Sequence, residues 1–316
     1  MRAGHGTVLA LSGGVGGAKL ALGLYRVLPP DTLTIVANTG DDFEHLGLSI
    51  SPDLDTLLYT LSDQDNPELG WGRRSETWTF MAALEALGGE TWFRLGDGDL
   101  ATHIERTRRL KAGESLSAIM DDFRRRLGIA ARLLPMSDDR VRTRLGSEEG
   151  WLDFQGYFVR LRCEPVIDRL EYAGAKTARP HPDILAALDD PRLGAVVICP
   201  SNPFISIDPI LALRGLRAAL RRCPAPVVAV SPIIGGKAVK GPTAKMMQEL
   251  GLPVDAATVA RHYKDVLDVY VADEEDAEAV AGLEIPVVLT KTLMQSLDDR
   301  EALANTVLAA ADKVGK

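Results

Sequence analysis

Cysteine and histidine are scarce in this sequence and are not grouped into metal-binding patterns. The three cysteines, Cys163, Cys199 and Cys223, form no CxxC pair. Their odd number and wide spacing argue against both a disulfide framework and a thiolate zinc site. The histidines show no HxH or HExxH spacing, which argues against a histidine-bound zinc. The five isolated histidines are His5, His45, His103, His181 and His262.

Long apolar runs and excess positive charge are also missing. No segment reaches the roughly 20 apolar residues that a membrane-spanning helix needs, and the N-terminal apolar run breaks into glycines, unlike a signal peptide. The net charge is -8, which argues against a broad basic face for nucleic acid. We therefore expect a cytoplasmic protein without membrane or nucleic-acid partners, whose ligands are small molecules.

What the sequence does contain is a repeated strand, loop and helix pattern. Residues 7–12 read as a strand, 18–28 as a helix and 32–38 as a second strand. The same order returns in residues 193–203, about 209–222 and 226–236. Continuous apolar strands joined by helices are typical of parallel strands buried on both faces. This pattern predicts an α/β fold with a Rossmann-like, mostly parallel sheet flanked by helices.

Between these halves the pattern becomes helical. Residues 75–87, 99–111 and 114–127 have helical spacing and frequent charge, which predicts a mainly helical insertion at about 75–130. Residues 150–172 partly alternate and favour a hairpin or edge region beside the sheet. No internal repeat or linker is visible. We predict a single α/β domain over residues 1–316.

Four loops follow strands of the predicted sheet, at residues 12–17, 38–42, 200–203 and 231–236. Because open α/β sheets place ligands beyond the carboxyl ends of their strands, these loops are expected to surround one crevice.

The first loop contains four glycines in five positions and opens a helix. Glycine lets backbone N–H groups approach a ligand, and the positive end of a helix favours phosphate. The spacing is not a P-loop, and it is not GxGxxG because Lys19 takes the third glycine position. We predict a nucleotide phosphate here, with tight packing of the helix as the alternative. The residues assigned to this site are Gly13, Gly14, Gly16, Gly17 and Lys19.

Aspartates cluster after the second strand and at the next helix. Asp41 and Asp42 follow Asn38, and they predict a magnesium site because this ion prefers carboxylate oxygens. The alternative for both is a solvated turn. We interpret Asp53 as a helix-capping residue, since Ser51-Pro52 reads as a helix start. Asp55 lies deeper in that helix, where capping does not need it, so we expect it to be functional.

Further polar residues mark other loops. Arg94 precedes a helix and can face an anionic ligand, and Met136 can line a flat aromatic ligand. Small polar groups follow the two later strands, where they can bond a base, ribose or phosphate, or form turns alone. These groups are Ser201, Asn202, Ser231 and Gly235.

In combination, six segments resemble the CofD-type 2-phospho-L-lactate transferases. In chain order they are LSGGVGGAKLALGL, NTGDDFEHLGLSISPDLDTLLY, RLGDGDLATHIERT, LPMSDDRVRT, CPSNPFISIDPIL and SPIIGGKAVKGPTAKM. The resemblance implies transfer of a phospho-acid group from a guanosine diphosphate-linked donor to the deazaflavin alcohol FO, in coenzyme F420 biosynthesis. It also implies release of GMP, a need for Mg²⁺ and a homodimer.

The resemblance also implies roles for individual residues. Asp55 and Arg94 would contact the deazaflavin, and Asp41, Asp42 and Asp55 would be candidate metal ligands. The glycine loop, with the serine-bearing loops at residues 201–202 and 231–235, would hold the guanine nucleotide. The donor's three-carbon acid stays open between lactate, enolpyruvate and glycerate.

Two alternatives belong to other classes. One is a non-catalytic, nucleotide-sugar-binding regulatory protein of the gluconeogenesis-factor type, and the other is an NAD-dependent dehydrogenase. For a transferase, glycine-loop amides, a metal and a cation such as Arg94 or Lys19 can neutralise phosphate charge. We expect Asp55→Asn to lose activity with little change in stability, and Asp53→Asn to affect stability more than turnover.

Overall fold

A central sheet of parallel strands organises the molecule. The computed structural model describes residues 6–67, 71–239 and 241–315. His5, Lys240 in the segment SPIIGGKAVKGPTAKM, and both predicted domain limits lie outside these residues. Where the domain begins and ends therefore stays a prediction.

The strands and helices are as follows. The strands are β1 Thr7–Ser12, β2 Leu33–Ala37, β3 Phe43–His45, β4 Leu48–Ile50, β5 Arg132–Pro135, β6 Arg142–Ser147, β7 Gly150–Asp153, β8 Arg169–Ala173, β9 Leu193–Ile198, β10 Val227–Val230, β11 Ile233–Ile234, β12 Lys237–Ala238, β13 Val269–Asp273 and β14 Val287–Thr290. The helices are α1 Gly14–Val27, α2 Pro52–Leu61, α3 Thr79–Ala86, α4 Asp97–Lys111, α5 Leu116–Arg126, α6 Pro182–Leu188, α7 Asp208–Leu211, α8 Leu216–Arg222, α9 Thr243–Glu249, α10 Ala256–His262, α11 Ala277–Val280 and α12 Leu297–Val314.

The main sheet has the order β14-β13-β10-β9-β1-β2-β5, and its strand pairs are parallel. From β1 the chain builds outward through β2 to β5, then returns to β9 on the other side of β1. The direction of winding therefore reverses between β1 and β9, and such a switch point leaves a crevice at the carboxyl ends of the strands. This confirms the predicted Rossmann-like α/β fold.

Both faces of the sheet are covered by apolar side chains. On β1, Leu9 and Leu11 belong to one hydrophobic cluster, while Val8 and Ala10 belong to another. Side chains alternate across a strand, so the two clusters lie on opposite faces. Helices α1 and α12 pack on the second face, whose cluster includes Leu20. The strands are thus buried on both sides, as their continuous apolar sequences predicted.

The segments outside the main sheet differ in detail from the prediction. The region 75–130 contains α3, α4 and α5, and its assignment as an insertion stays a prediction. Strands β7 and β8 both pair with β6 in a separate antiparallel sheet, so residues 150–172 do not extend the main one. No helix within the described ranges is both long and apolar enough to span a bilayer.

The predicted helix at 209–222 is broken. A π-helical segment, Pro203–Ile207, leads into the short α7, and α8 begins after Gly215, which has a left-handed φ of 82°. The Asn202 side chain caps the π segment by accepting from Phe204 N–H and Ile205 N–H. The π segment follows β9 and lies against the loop after β1. A Cβ at Gly13 would be 3.1 Å from the Cα atom of Ser206 in this segment.

Candidate functional site

The glycine loop forms the N-terminus of α1 at the switch point of the sheet. Gly13 is the N-cap and provides no side chain for capping. Its N–H donates to Ser201 Oγ at 3.3 Å, and Gly14 N–H donates to Asp53 Oδ1 at 2.6 Å. Gly14 has a φ of 65°, a conformation that glycine adopts without strain. Two amides of the loop are therefore already bonded to side chains of the protein.

Gly16 brings α1 close to the loop after β9. A Cβ at position 16 would lie 2.5 Å from the carbonyl oxygen of Pro200, which is backbone and cannot swing away. Gly17 lies beside the hydroxyls of Ser12 and Ser201. The packing role that the sequence left as an alternative is thus present at Gly16. Binding of phosphate by this loop stays a prediction.

Three buried carboxylates lie next to the glycine loop. The Asn38 Nδ2 group donates to Asp53 Oδ2 at 2.9 Å and to Asp41 Oδ1 at 3.2 Å. Ser51 Oγ donates to Asp42 Oδ2 at 2.8 Å. Asp41, Asp42 and Asp53, here called the acidic cluster, come from the loop after β2 and the first turn of α2. All three are at most 7% exposed, so Asp41 and Asp42 do not form a solvated turn.

Burial makes it costly for the acidic cluster to carry its full negative charge. Burial raises the pKa of Asp41 well above its usual value, and the charges of Asp53 and Asp42 raise it further. Burial raises the pKa of Asp42 to about 7, although Arg142 and the Ser51 hydrogen bond oppose this. Burial also raises the pKa of Asp53 to about 6, against the hydrogen bonds from Asn38 and Gly14. A cation among these groups would stabilise their ionised forms.

The acidic cluster fits a magnesium ion on chemical grounds. Carboxylate oxygens are its preferred ligands, and one or two of them commonly act together with substrate phosphates. Asp42 Oδ1 is buried and has no hydrogen-bond partner among the described residues. An orphaned, desolvated carboxylate oxygen is costly unless a ligand or ion completes it. Within the described residues it is Asp55, Asp99 and His103 that bring three ligand atoms within 4.8 Å of one another, so the acidic cluster would have to close around an ion, to which the orphaned Asp42 Oδ1 would then contribute.

Asp53 does not cap its own helix, contrary to our interpretation of the sequence. Its carboxylate accepts from Gly14 on α1 and from Asn38 after β2, whereas Ser51 provides α2 with no side-chain capping bond. Asp53 is therefore the side chain that joins the glycine loop to the acidic cluster.

Asp55 faces a different partner. Both of its oxygens accept from the Arg106 guanidinium on α4, with Nη1 at 3.1 Å from Oδ2 and Nη2 in close contact with Oδ1. Arg106 is fully buried and Asp55 is 5% exposed. A buried guanidinium needs such a carboxylate. Because its charge is already paired, Asp55 is less suited to binding the metal than the acidic cluster is.

A chain of polar contacts continues from Asp55 towards the surface. Arg106 Nη1 lies 3.4 Å from His103 Nδ1, and His103 Nε2 lies 3.2 Å from Asp99 Oδ2. Tyr59 donates its hydroxyl to Asp99 Oδ1 at 2.6 Å. Ligand atoms of Asp55, Asp99 and His103 lie within 4.8 Å of one another, which could suit a metal. The adjacent Arg106 charge disfavours a cation there, and the His103 Nε2 to Asp99 link is an ion-pair contact without hydrogen-bond geometry, so the chain is one of polar contacts.

Arg94 packs on Trp78, a residue that shares a small hollow with Asp99. It is exposed, and its guanidinium stacks on the Trp78 ring with 4.1 Å to the centroid. Trp78 and the 43% exposed Trp71 line a small hollow that also contains Asp99. The structure thus places Arg94 and Asp55 in one region but connects them through intervening residues. Contact of either with an acceptor stays a prediction.

Three other predicted residues make bonds within the protein. Lys19 Nζ donates to the Met294 carbonyl at 2.8 Å, away from the amides of its own loop. Met136 is fully buried in the core, so lining of a ligand surface by Met136 has no direct support. Ser231 Oγ bonds the backbone of Ile233, as turn chemistry predicts.

The loop after β10 is the most distant part of the predicted nucleotide site. Gly235 has a φ of 55°, and a Cβ there would lie 2.6 Å from Glu275 Oε2. Glu275 follows β13, three strands from β1. Of the four predicted loops, those after β1, β2 and β9 are joined by direct contacts, through Asn38, Asp53 and Ser201.

Sequence reasoning gave no role to three residues at the site and the wrong role to a fourth. Arg106, Arg142 and Ser206 all lie inside the six segments but none was assigned a role, and Asp53 was assigned the wrong one. Ser206 Cβ would be 2.6 Å from a Cβ at Gly13, which places this serine beside the loop. Arg142 moderates the pKa values of Asp41 and Asp42. An unexplained arginine close to an acidic turn was the available signal for Arg142.

Comparison with known proteins extends these observations. The sequence model of the family described as 2-phospho-L-lactate transferase CofD matches residues 8–298. A phosphoenolpyruvate transferase from Kitasatospora aureofaciens is 41% identical, covering 97% of this chain and 98% of that protein. A 2-phospho-L-lactate transferase from Methanosarcina mazei is 39% identical, covering 96% and 100%. A crystallised UPF0052-family protein from Bacillus halodurans has a TM-score of 0.64 at 15% identity, covering 96% and 99%, and shares the fold.

The strand order, which reverses between β1 and β9, defines a Rossmann-like α/β protein, a class whose members bind ligands at such a switch point. Within that class, the chain belongs to the 2-phospho-L-lactate transferase (CofD) family, as the matched residues 8–298 and the relatives at 39% and 41% identity show. It is an enzyme of the transferase class, acting on a phosphate-containing group. The resemblance of the six segments is confirmed.

Proposed function

We propose that this enzyme transfers a phospho-acid group from a guanosine diphosphate-linked donor to the hydroxyl of the deazaflavin FO, releasing GMP, in coenzyme F420 biosynthesis. The main support is one observation: a glycine loop and three buried carboxylates meet at the switch point of a CofD-family chain. A loop of backbone amides and a carboxylate set suited to Mg²⁺ are what a diphosphate donor requires.

The donor diphosphate is proposed to lie between the start of α1 and the acidic cluster. Gly13 and Gly14 already donate to side chains, so Val15 and Gly16, next along the first turn, are the amides proposed to receive phosphate oxygens. Asp41, Asp42 and Asp53 would hold Mg²⁺, which would supply neutralisation of phosphate charge. Ser201 and Asn202 would border the nucleotide from the loop after β9.

The acceptor is proposed to lie over the hollow formed by Trp71 and Trp78. Aromatic rings offer stacking surface to a flat ligand, and the Arg94 guanidinium on Trp78 extends that surface. Asp55, held by Arg106, would anchor the acceptor from below through the chain that ends at Asp99. These contacts support the role that the family resemblance implied for Arg94, whereas Asp55 would act on the acceptor through the intervening residues.

The proposed reaction is a displacement at phosphorus. The FO hydroxyl oxygen forms a bond to the phosphorus that carries the three-carbon acid, and the bond from this phosphorus to the bridging oxygen breaks. GMP leaves with the bridging oxygen, and the hydroxyl proton is released to water. Alignment and charge neutralisation then supply most of the catalysis.

Membership of a transferase family favours this function over both alternatives. The UPF0052-family neighbour is 15% identical and shows the fold alone, so it lends no support to a regulatory nucleotide-sugar-binding role. The two relatives are a phosphoenolpyruvate transferase and a 2-phospho-L-lactate transferase, so two donors stay open, and identities of 41% and 39% do not separate them.

The test is a transfer assay with FO, Mg²⁺ and the lactyl, enolpyruvyl and glyceryl donors in competition. We expect one negatively charged deazaflavin product and an equal amount of GMP. Chelation should stop turnover and added Mg²⁺ should restore it. Absence of product with all three donors would contradict the proposed function, and full activity in chelator would contradict the metal.

We also propose that the enzyme is a cytoplasmic homodimer, as the family resemblance implies. Light scattering of the purified chain measures its mass directly. A mass close to that of one 34.1 kDa chain would contradict the dimer.

A further inference from the structure

The carboxylate of Asp53 lies where a phosphate group is expected at the start of α1. Gly14 is the first residue of this 14-residue helix, and its N–H donates to Asp53 Oδ1 at 2.6 Å. The N-terminus of a helix attracts anions because its first amides have no partner within the helix. In this structure a side chain from α2 supplies that anion.

The same carboxylate also belongs to the acidic cluster. Asp53 Oδ2 accepts from Asn38 Nδ2, which also bonds Asp41 Oδ1 and the Ile205 carbonyl. Asp53 therefore reaches both the proposed phosphate site and the proposed metal site. Beside a phosphate its charge is repulsive, whereas beside a metal its charge is attractive.

There is room beside Gly14 for another group. The atom nearest to a Cβ at this position would be Ser206 Oγ, at 4.0 Å. By contrast, a Cβ at Gly16 would meet the Pro200 carbonyl at 2.5 Å. The side of Gly14 that a side chain would occupy is therefore open to a ligand, and its N–H is bonded to Asp53.

We propose that Asp53 is a positioning residue that exchanges the Gly14 N–H for the metal, so that Mg²⁺ and the donor diphosphate bind cooperatively. Without metal, Asp53 competes with the diphosphate for Gly14 and repels it. With metal, the Asp53 carboxylate turns from Gly14 towards Asp41 and Asp42, and the amide is released to the phosphate. Such coupling is reciprocal, so the diphosphate raises the affinity for Mg²⁺ by the same factor. The inference rests on the proposed function.

Calorimetric titration with GDP, which carries the diphosphate of the donor, tests this coupling. The titration is run in chelator and in Mg²⁺ on the wild type, Asp53→Ala and Asp53→Asn. We expect metal-free GDP affinity to rise about ten-fold in Asp53→Ala, the size expected when a charge-assisted hydrogen bond no longer competes. The gain in affinity on adding Mg²⁺ should shrink in both variants.

The control is Asp63→Asn, which removes a carboxylate just beyond the end of the same helix. The Asp63 side chain is 93% exposed and pairs with Arg74 on the surface. The Asp63→Asn variant should show the same gain in GDP affinity on adding Mg²⁺ as the wild type. Melting curves establish that each variant is folded, and Asp53→Asn, which preserves side-chain volume, decides the question if Asp53→Ala does not fold.

Two results would overturn the inference in different ways. Metal-free GDP affinity that is unchanged or weaker in the folded Asp53 variants, while the wild type binds GDP with Mg²⁺, would remove the competing role of Asp53 and leave the proposed function standing. Failure of the wild type to bind GDP even with Mg²⁺ would instead remove the proposed function itself.

Discussion

Removing the charge of Asp55 should destabilise the fold, because this carboxylate neutralises the fully buried Arg106 guanidinium. Breaking a buried ion pair by removing one partner typically costs about 3–5 kcal/mol. Asparagine keeps one oxygen acceptor for Arg106, and Arg106 also donates to the Ser49 carbonyl. We therefore expect Asp55→Asn to cost about 3 kcal/mol, which for a chain of this length lowers the Tm by roughly 5 °C.

The assay is urea and thermal unfolding of Asp55→Asn beside Asp63→Asn, whose loss of an exposed carboxylate should change stability little. Arg106→Met and the double variant complete a cycle. We expect the double variant to be more stable than the sum of the single losses implies, because neither charge is then left unpaired. An Asp55→Asn variant with the same melting temperature as the wild type would refute this reasoning. From the sequence we had expected that result.

Three further outcomes follow from the same contacts. Gly16→Ala should lower the free energy of unfolding by about 1–3 kcal/mol in urea titrations, because its Cβ would meet the Pro200 carbonyl at 2.5 Å; unchanged stability would contradict this. In chelator, the native state keeps a proton on Asp42, whose pKa is raised from 3.8 to about 7, so stability should fall as pH rises through this window. The melting temperature of Asp42→Asn should depend less on pH than that of the wild type. An equal dependence on pH would assign the effect to another group. Arg94→Ala should raise the KM for FO about ten-fold with unchanged GDP affinity, and weakened GDP binding instead would place Arg94 with the donor.

Much of the fold was predictable because the strands are apolar throughout. Residues 7–12 were predicted as a strand and form β1 with the same limits, while 32–38 contains β2, Leu33–Ala37. The break in the helix at 209–222 was not predicted. The π segment before it depends on tertiary contacts, such as the Tyr172 hydroxyl donating to the Phe204 carbonyl at 2.6 Å.

The roles of Asp53 and Asp55 could not be separated from the sequence. Residues two positions apart on a helix differ by about 200° in direction, so the side chains of Asp53 and Asp55 point to nearly opposite sides. Most of α2 is buried, including both aspartates, so amphipathic spacing does not show which side faces the crevice. The partners that decide it, Gly14 and Arg106, are 39 and 51 residues away in the chain.

Met136 illustrates the same limit for apolar side chains. Its position after β5, at the carboxyl edge of the sheet, suits either a ligand surface or the core. The structure buries it completely, with its N–H bonded to the Ala37 carbonyl at 2.9 Å. The sequence around Met136 is compatible with a ligand-lining position and with a core position. The tertiary packing of its side chain distinguishes the two.

The central claim is that the start of α1 and the acidic cluster together hold the donor diphosphate and its metal. A crystal structure with GDP and Mn²⁺, with the metal located by anomalous scattering, tests it most directly. We expect the manganese peak among Asp41, Asp42 and Asp53, with the diphosphate against the amides that open α1. A manganese peak on Asp55, Asp99 and His103, or a diphosphate bound away from the glycine loop, would contradict the claim.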